Sequence, residues 1–129
     1  DVGAYEVSEE QFFKRGSSGG TIVSSALCMV NDIINSRYHP SSWNIYTFQC
    51  SDGDNWPSDM EKSIDEMRKI IDKSQFVGYC EVEPGERNRW GGASTLESAF
   101  KALVGSKFKT SKVSNKEHIW PSFEHFFCG

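Results

Sequence analysis

The spacing of apolar residues along the chain changes between helical and strand-like rhythms, and each change marks an element. Ala4 to Val7 reads as a short strand, and Ser8-Glu9-Glu10-Gln11 has the form of a capping box that opens a brief helix through Phe13 and Lys14. Gly16-Ser17-Ser18-Gly19-Gly20 is a loop. Ile22, Ala26, Met29, Val30 and Ile33 recur at helical spacing and predict a helix from Thr21 to about Ser36, ended by His39-Pro40-Ser41-Ser42. Trp43 to Gln49 is rich in aromatic and β-branched residues and predicts a buried strand. Ser58-Asp59-Met60-Glu61 is a second capping box, before a helix with Ile64, Met67, Ile70 and Ile71 on its inner face. Phe76 to Val82 is the next strand. A third capping box, Ser94-Thr95-Leu96-Glu97, opens a helix carrying Leu96, Phe100 and Leu103 and ending at Gly105. Lys107 to Val113 predicts a last strand, and Pro121 starts a short helix through Phe127.

Strands alternating with helices of this length predict parallel β-α units. The expected fold is α/β, three layers deep, with a mostly parallel open sheet and helices on both faces, in one domain over residues 1–129. Ligands of such sheets bind beyond the carboxyl ends of the strands. Asp52 follows one predicted strand, and Arg87 and Trp90 follow another, so both loops should lie on that rim.

Composition narrows the options. Hydrophobic residues at 37% and aromatics at 13% of 129 residues suffice for a core. A net charge of -4 argues against broad nucleic-acid binding, which needs a basic face. No apolar run approaches the roughly 20 residues that span a bilayer, and no signal-peptide pattern opens the chain. Cys28, Cys50, Cys80 and Cys128 are widely separated with no CxxC pair, which favours reduced thiols in a cytoplasmic protein over a zinc or disulfide framework. A first residue Asp1, followed almost at once by a strand-like segment, suggests part of a longer protein.

The candidate chemistry lies where a hydrophobic strand runs into Ser51-Asp52-Gly53-Asp54-Asn55. Asp and Asn oxygens are hard donors suited to Mg²⁺ or a similar cation. The same residue types also dominate plain turns. Gly19-Gly20-Thr21 delivers a hydroxyl at a helix start, where backbone N–H groups favour an anionic or metal-bridged ligand. Alone, that threonine reads as an N-cap. Thr21 and Asp52 together would supply a hydroxyl and a carboxylate to one cation.

GGT before a helix, then a hydrophobic strand ending in SDG, resembles the second half of a von Willebrand factor A-type domain. The wording EVSEEQFF, SGGTIVSSAL and WNIYTFQCSDGDNW is closer still to the bacterial YeaH/YhbH family, linked to sporulation and stress responses. The resemblance implies a divalent ion, Mg or Mn, at a metal-ion-dependent adhesion site, with Thr21 and Asp52 as ligands. Ser51, Asp54 and Asn55 then become outer-shell groups or turn formers. The remaining ligands of such a site come from an Asp-x-Ser-x-Ser motif that is absent from these residues and would lie upstream of Asp1. Metal binding by this chain alone should therefore be weak or absent. The resemblance implies a non-enzymatic, metal-assisted protein-interaction domain, with a PrkA-type serine protein kinase as partner. The alternative is a Mg-dependent phosphohydrolase of haloacid dehalogenase type, with Asp52 as nucleophile and Asp54 as acid/base. Against it, that motif normally begins its domain, and Asn55 stands where Thr or Val is usual.

Arg87, Arg89 and Trp90 are residue types favoured at binding hot spots and form a second candidate partner site on the rim. His39, His118 and His125 read as surface or cap residues. Lys107, Lys109, Lys112 and Lys116 read as protection of an edge strand. If an upstream strand is missing, Asn44, Tyr46 and Phe48 should face an open edge. Ala4–Val7 of the same chain, or a second copy that makes a homodimer, would cover it.

Overall fold

A computed structural model of the protein describes residues 3–14, 22–83 and 95–128. Helices α1 (Glu9–Lys14) and α2 (Val23–Arg37) come first, followed by strand β1 (Tyr46–Ser51), helix α3 (Met60–Lys73) and strand β2 (Phe76–Val82). Helix α4 (Leu96–Phe100), strand β3 (Phe108–Val113) and helix α5 (Ile119–Phe127) complete the described elements. Single 3-10 turns precede α3 and α5 and follow α4. The sheet has the order β1-β2-β3, and both pairings are parallel.

Strand alternation sorts the side chains into two layers. Val77, Tyr79 and Phe108 point to one face, where they form the core with Val23, Leu27 and Ile34 of α2, Met67 and Ile70 of α3, and Leu96 and Phe100 of α4. Tyr79 meets Phe100 edge-on at 5.3 Å, and Phe100 meets Phe108 at 6.2 Å, an arrangement that suits ring quadrupoles. The other face belongs to α5. Phe126 and Phe127 reach Phe48 at 6.2 and 5.3 Å, and Phe126 reaches Phe76 at 6.3 Å. Gly78 is what allows Phe48 to lie across β2, since a Cβ there would come within 2.8 Å of the Phe48 ring. The three-layer α/β class expected from the alternation is the one observed. It is consistent with part of a Rossmann or von Willebrand factor A-like sheet.

Helices α2 and α3 are locked together by polar groups as well as by the core. Buried Asn31 donates to the Glu66 carbonyl at 3.1 Å and to its carboxylate at 2.8 Å. Lys69 binds the same carboxylate at 2.6 Å, and Lys73 donates to Asn31 at 3.3 Å. The Lys69 hydrogen bond and then Asn31 hold the Glu66 carboxyl below its ordinary range, against the effect of burial.

Several predicted boundaries move: the last helix starts at Ile119 rather than Pro121, and α4 ends at Phe100, with its 3-10 turn stopping at Leu103, short of Gly105. Residues 3–8 contain no strand, so Ala4–Val7 is not one. A strand needs a neighbour to take its backbone hydrogen bonds, and this segment is instead tied to the end of α2 by Glu6 and Arg37 at 2.7 Å. The next strand starts at Tyr46 rather than Trp43. The amides of Ser42 and Trp43 close a turn onto the His39 carbonyl, and Trp43 packs edge-on against Tyr38 at 5.1 Å. Nor is that strand buried: among the described residues it lies at the sheet edge, with Tyr46 61% and Phe48 46% exposed. The Ser58 capping box does not form, because Pro57–Asp59 is a 3-10 turn and Asp59 turns to another helix. The first box does form, with Ser8 N donating to Gln11 Oε1 at 2.9 Å and Gln11 N to Ser8 Oγ at 3.2 Å. At α4 the capping side chain is Thr95, which accepts from Ser98 N at 3.3 Å.

Candidate functional site

The rim loop from Ser51 to Asp59 leaves the carboxyl end of β1 and is fixed residue by residue. Gly53 adopts φ +86°, a left-handed conformation that side-chain-bearing residues rarely take. Its amide donates to Ser51 Oγ at 3.1 Å, and its carbonyl accepts from Leu96 N at 3.1 Å, which joins the loop to the start of α4. Asp52 Oδ1 accepts from Asp54 N at 3.1 Å, the short-range bond that lets aspartate initiate turns. Asp52 and Asp54 are both exposed. The turn therefore sets the Asp52 carboxylate out on the rim.

Beneath Gly53 lies the fully buried Glu81 of β2. A Cβ at position 53 would stand 2.6 Å from its carboxylate, so the loop tip rests directly on this side chain. Glu81 Oε2 accepts from Tyr79 OH at 3.1 Å and from Glu97 N, in the first turn of α4, at 3.0 Å. Burial, followed by the Glu81 charge, pushes the Tyr79 hydroxyl far above its ordinary pKa, so it stays protonated and donates. Lys112 adds a positive charge nearby, 3.0 Å from Glu97 and 3.4 Å from Glu83.

The far end of the loop caps α2. Ile22, its N-cap residue, makes no side-chain cap bond. Asn55 Oδ1 instead accepts from Val23 N at 3.2 Å, and Asp59 Oδ2 accepts from Ser24 N at 2.9 Å. Asp59 also accepts from the Ser24 and Ser63 hydroxyls, while Asn55 Nδ2 donates to Ser63 Oγ at 3.1 Å. Burial alone would raise the Asp59 carboxyl, but hydrogen bonds from Ser24, Ser63 and Asn55 prevail and hold it below its ordinary value. A carboxylate facing the first amides of a helix is also favoured by the helix dipole.

The predicted site residues thus separate. Asp52 and Ser51 lie together at the rim, Asp54 forms the turn, and Asn55 anchors α2. Thr21, Arg87, Arg89 and Trp90 lie outside the described residues. Among the described residues, no three His, Cys, Asp or Glu side chains converge as a metal site. Ser51 and Asp52 alone do not make a ligand set for a cation that wants about six oxygens. Sequence reasoning missed Glu81, Asp59 and Ser63. Glu81 had a signal, because strand alternation places it on the same inward face as Val77 and Tyr79.

The fold and this loop define an α/β domain with a parallel sheet and a braced acidic rim. Residues 1–128 match the family described as "Protein of unknown function (DUF444)", and the chain belongs to that family. It is 40% identical over 122 residues to the UPF0229 protein of Ruminiclostridium cellulolyticum, covering 94% of this chain and 30% of the relative. The UPF0229 protein of Oceanobacillus iheyensis is 40% identical over 121 residues, covering 94% and 30%. That of Thiobacillus denitrificans is 39% identical over 126 residues, covering 96% and 29%. The chain therefore spans about 30% of the length of these bacterial relatives. No solved structure matches it significantly. Among the described residues, no helix is long and apolar enough to cross a membrane.

Proposed function

We propose that this chain is a non-enzymatic protein-interaction domain that meets its partner at the carboxyl rim of the sheet, centred on Asp52. The observation that carries the reading is the bracing of the Ser51–Asp59 loop. Its backbone and side chains are tied to α2, α3 and α4 and rest on Glu81 of β2, and the Asp52 carboxylate stays exposed at the tip. A rigid loop that presents an acid loses little entropy on binding. In the full-length protein the same carboxylate would contribute to a Mg or Mn site of von Willebrand factor A type, with Thr21 and residues from elsewhere in the chain. The resemblance to the YeaH/YhbH family supports a cytoplasmic role in sporulation or stress signalling, with a PrkA-type serine kinase as partner.

The test is calorimetric titration of the full-length protein with that kinase, in Mg²⁺ and in chelator. Binding should weaken at least about tenfold, ~1.4 kcal/mol, on Asp52→Ala or on chelation. Unchanged affinity in both would overturn the reading. Mg²⁺-dependent phosphatase turnover that vanishes in Asp52→Asn would establish the hydrolase instead.

A further inference from the structure

Cys50 and Cys80 are in-register partners on the adjacent parallel strands β1 and β2. In-register residues of neighbouring strands project to the same face of the sheet, here the α5 face. Both are free thiols, Cys50 exposed and Cys80 half-buried. The core uses neither: both are missing from the buried cluster on the opposite face. Each also immediately precedes a residue of the rim, Ser51 or Glu81.

We propose that Cys50 and Cys80 form a peroxide-responsive dithiol, which closes to a reversible cross-strand disulfide beneath the rim loop.

Neighbouring strands lie about 4.8 Å apart. That separation falls within the ~4.4–6.8 Å that a disulfide tolerates between Cα atoms, while the Cβ atoms must draw in toward ~3.8 Å. The movement falls on β1, whose outer edge has no paired strand among the described residues. A bond formed with such strain is readily reduced, which is the behaviour of regulatory disulfides.

Exposure makes Cys50 the attacking group. Burial, followed by the neighbouring Cys50, raises the Cys80 thiol and keeps it protonated until its turn. The Cys50 thiolate attacks one oxygen of hydrogen peroxide. The O–O bond breaks, and the departing hydroxide takes up the thiol proton as water, leaving a sulfenic acid. The Cys80 sulfur then attacks the Cys50 sulfur, and hydroxide leaves with the Cys80 proton as a second water. Two thiols are oxidised and one peroxide is reduced.

The experiment treats the protein with stoichiometric hydrogen peroxide, alkylates the remaining thiols and maps them by mass spectrometry. Cys50 and Cys80 should lose alkylation together and appear as one cross-linked peptide, while Cys28 and Cys128 stay alkylated and dithiothreitol restores both sites. Substituting the exposed Cys50→Ser should abolish the cross-link. Cys80→Ser should leave Cys50 as a trappable sulfenic acid. Amide exchange at residues 51–53 should slow in the oxidised wild type. Four thiols that remain alkylatable, sulfinic acid at Cys50 beside a reduced Cys80, or a Cys50–Cys50 link between copies would each overturn the proposal.

Discussion

Replacing Gly53 with alanine strikes the loop at its tightest point. The backbone stands at φ +86°, where a Cβ costs ~1–2 kcal/mol. That Cβ would also lie 2.6 Å from the Glu81 carboxylate carbon and from one of its oxygens. Glu81 cannot swing aside cheaply, since it is fully buried and held by Tyr79 OH and Glu97 N. Overpacking of this kind adds ~1–3 kcal/mol, so the combined loss is about 2–5 kcal/mol. For a chain of this length that corresponds to a fall in Tm of roughly 10 °C. Gly105→Ala is the matched control: nothing lies within 4 Å of its added Cβ, and it shares the unfolded-state entropy change. Urea unfolding of both variants reads the difference directly. Pairing Gly53→Ala with Glu81→Ala should recover the steric part, giving a coupling well above the ~0.5 kcal/mol expected of independent sites. If Gly53→Ala unfolds within ~0.5 kcal/mol of Gly105→Ala, the loop is not braced on Glu81, and the argument for a preorganised rim fails with it.

Asp59→Asn should cost ~1–2 kcal/mol at neutral pH, as loss of a helix cap does. Because the folded Asp59 carboxyl is held below its unfolded value, its contribution is complete above the unfolded pKa and disappears as pH falls through the folded one. The gap between wild type and Asp59→Asn in acid-titrated unfolding should therefore narrow below about pH 4, and a constant gap would contradict the assignment. Asp52→Asn, on the exposed tip, should change stability by less than ~0.5 kcal/mol, so any loss of partner binding is not a folding defect. Mg²⁺ added to this chain alone should bind at about millimolar affinity or weaker, because so small an oxygen set leaves the ion mostly hydrated; submicromolar binding abolished by Asp52→Ala would refute this. The outer edge of β1 should recruit a second copy, seen as a dimer by light scattering and lost on Tyr46→Lys.

The elements of this fold were legible wherever a segment's own pattern of apolar residues matches its burial. Helix α3 shows Met67 and Ile70 inward at helical spacing, and β2 matches its predicted bounds because both of its neighbours are strands. Errors fell where tertiary pairing decides. Trp43 has strand-like composition, but the turn at His39 delays pairing until Tyr46 meets Phe76. Ala4–Val7 has strand propensity and, among the described residues, no strand beside it. The Ser58 box fits the motif, but the long-range bond from Ser24 to Asp59 fixes the helix start differently. Legibility at the site followed the same division. Asp52 and the Gly53 turn are local and were visible, whereas Asn55 and Asp59 act 32 and 35 residues away in sequence, which no local pattern encodes.

That division also explains why an Asp-Gly-Asp-Asn stretch follows an aromatic strand. Gly53 supplies the left-handed angle and the clearance over Glu81, and Asp54 offers its amide to orient Asp52. Asn55 completes the first turn of α2, so the segment after the turn positions the helix before β1. Each of these residues answers a packing or hydrogen-bonding demand inside the domain. The exposed carboxylate of Asp52 is held out on the rim by those neighbours. The adjoining edge is incomplete as well: β1 has no outer neighbour among the described residues. Edge and rim meet at Ser51, so a chain that completes the sheet there would also reach Asp52.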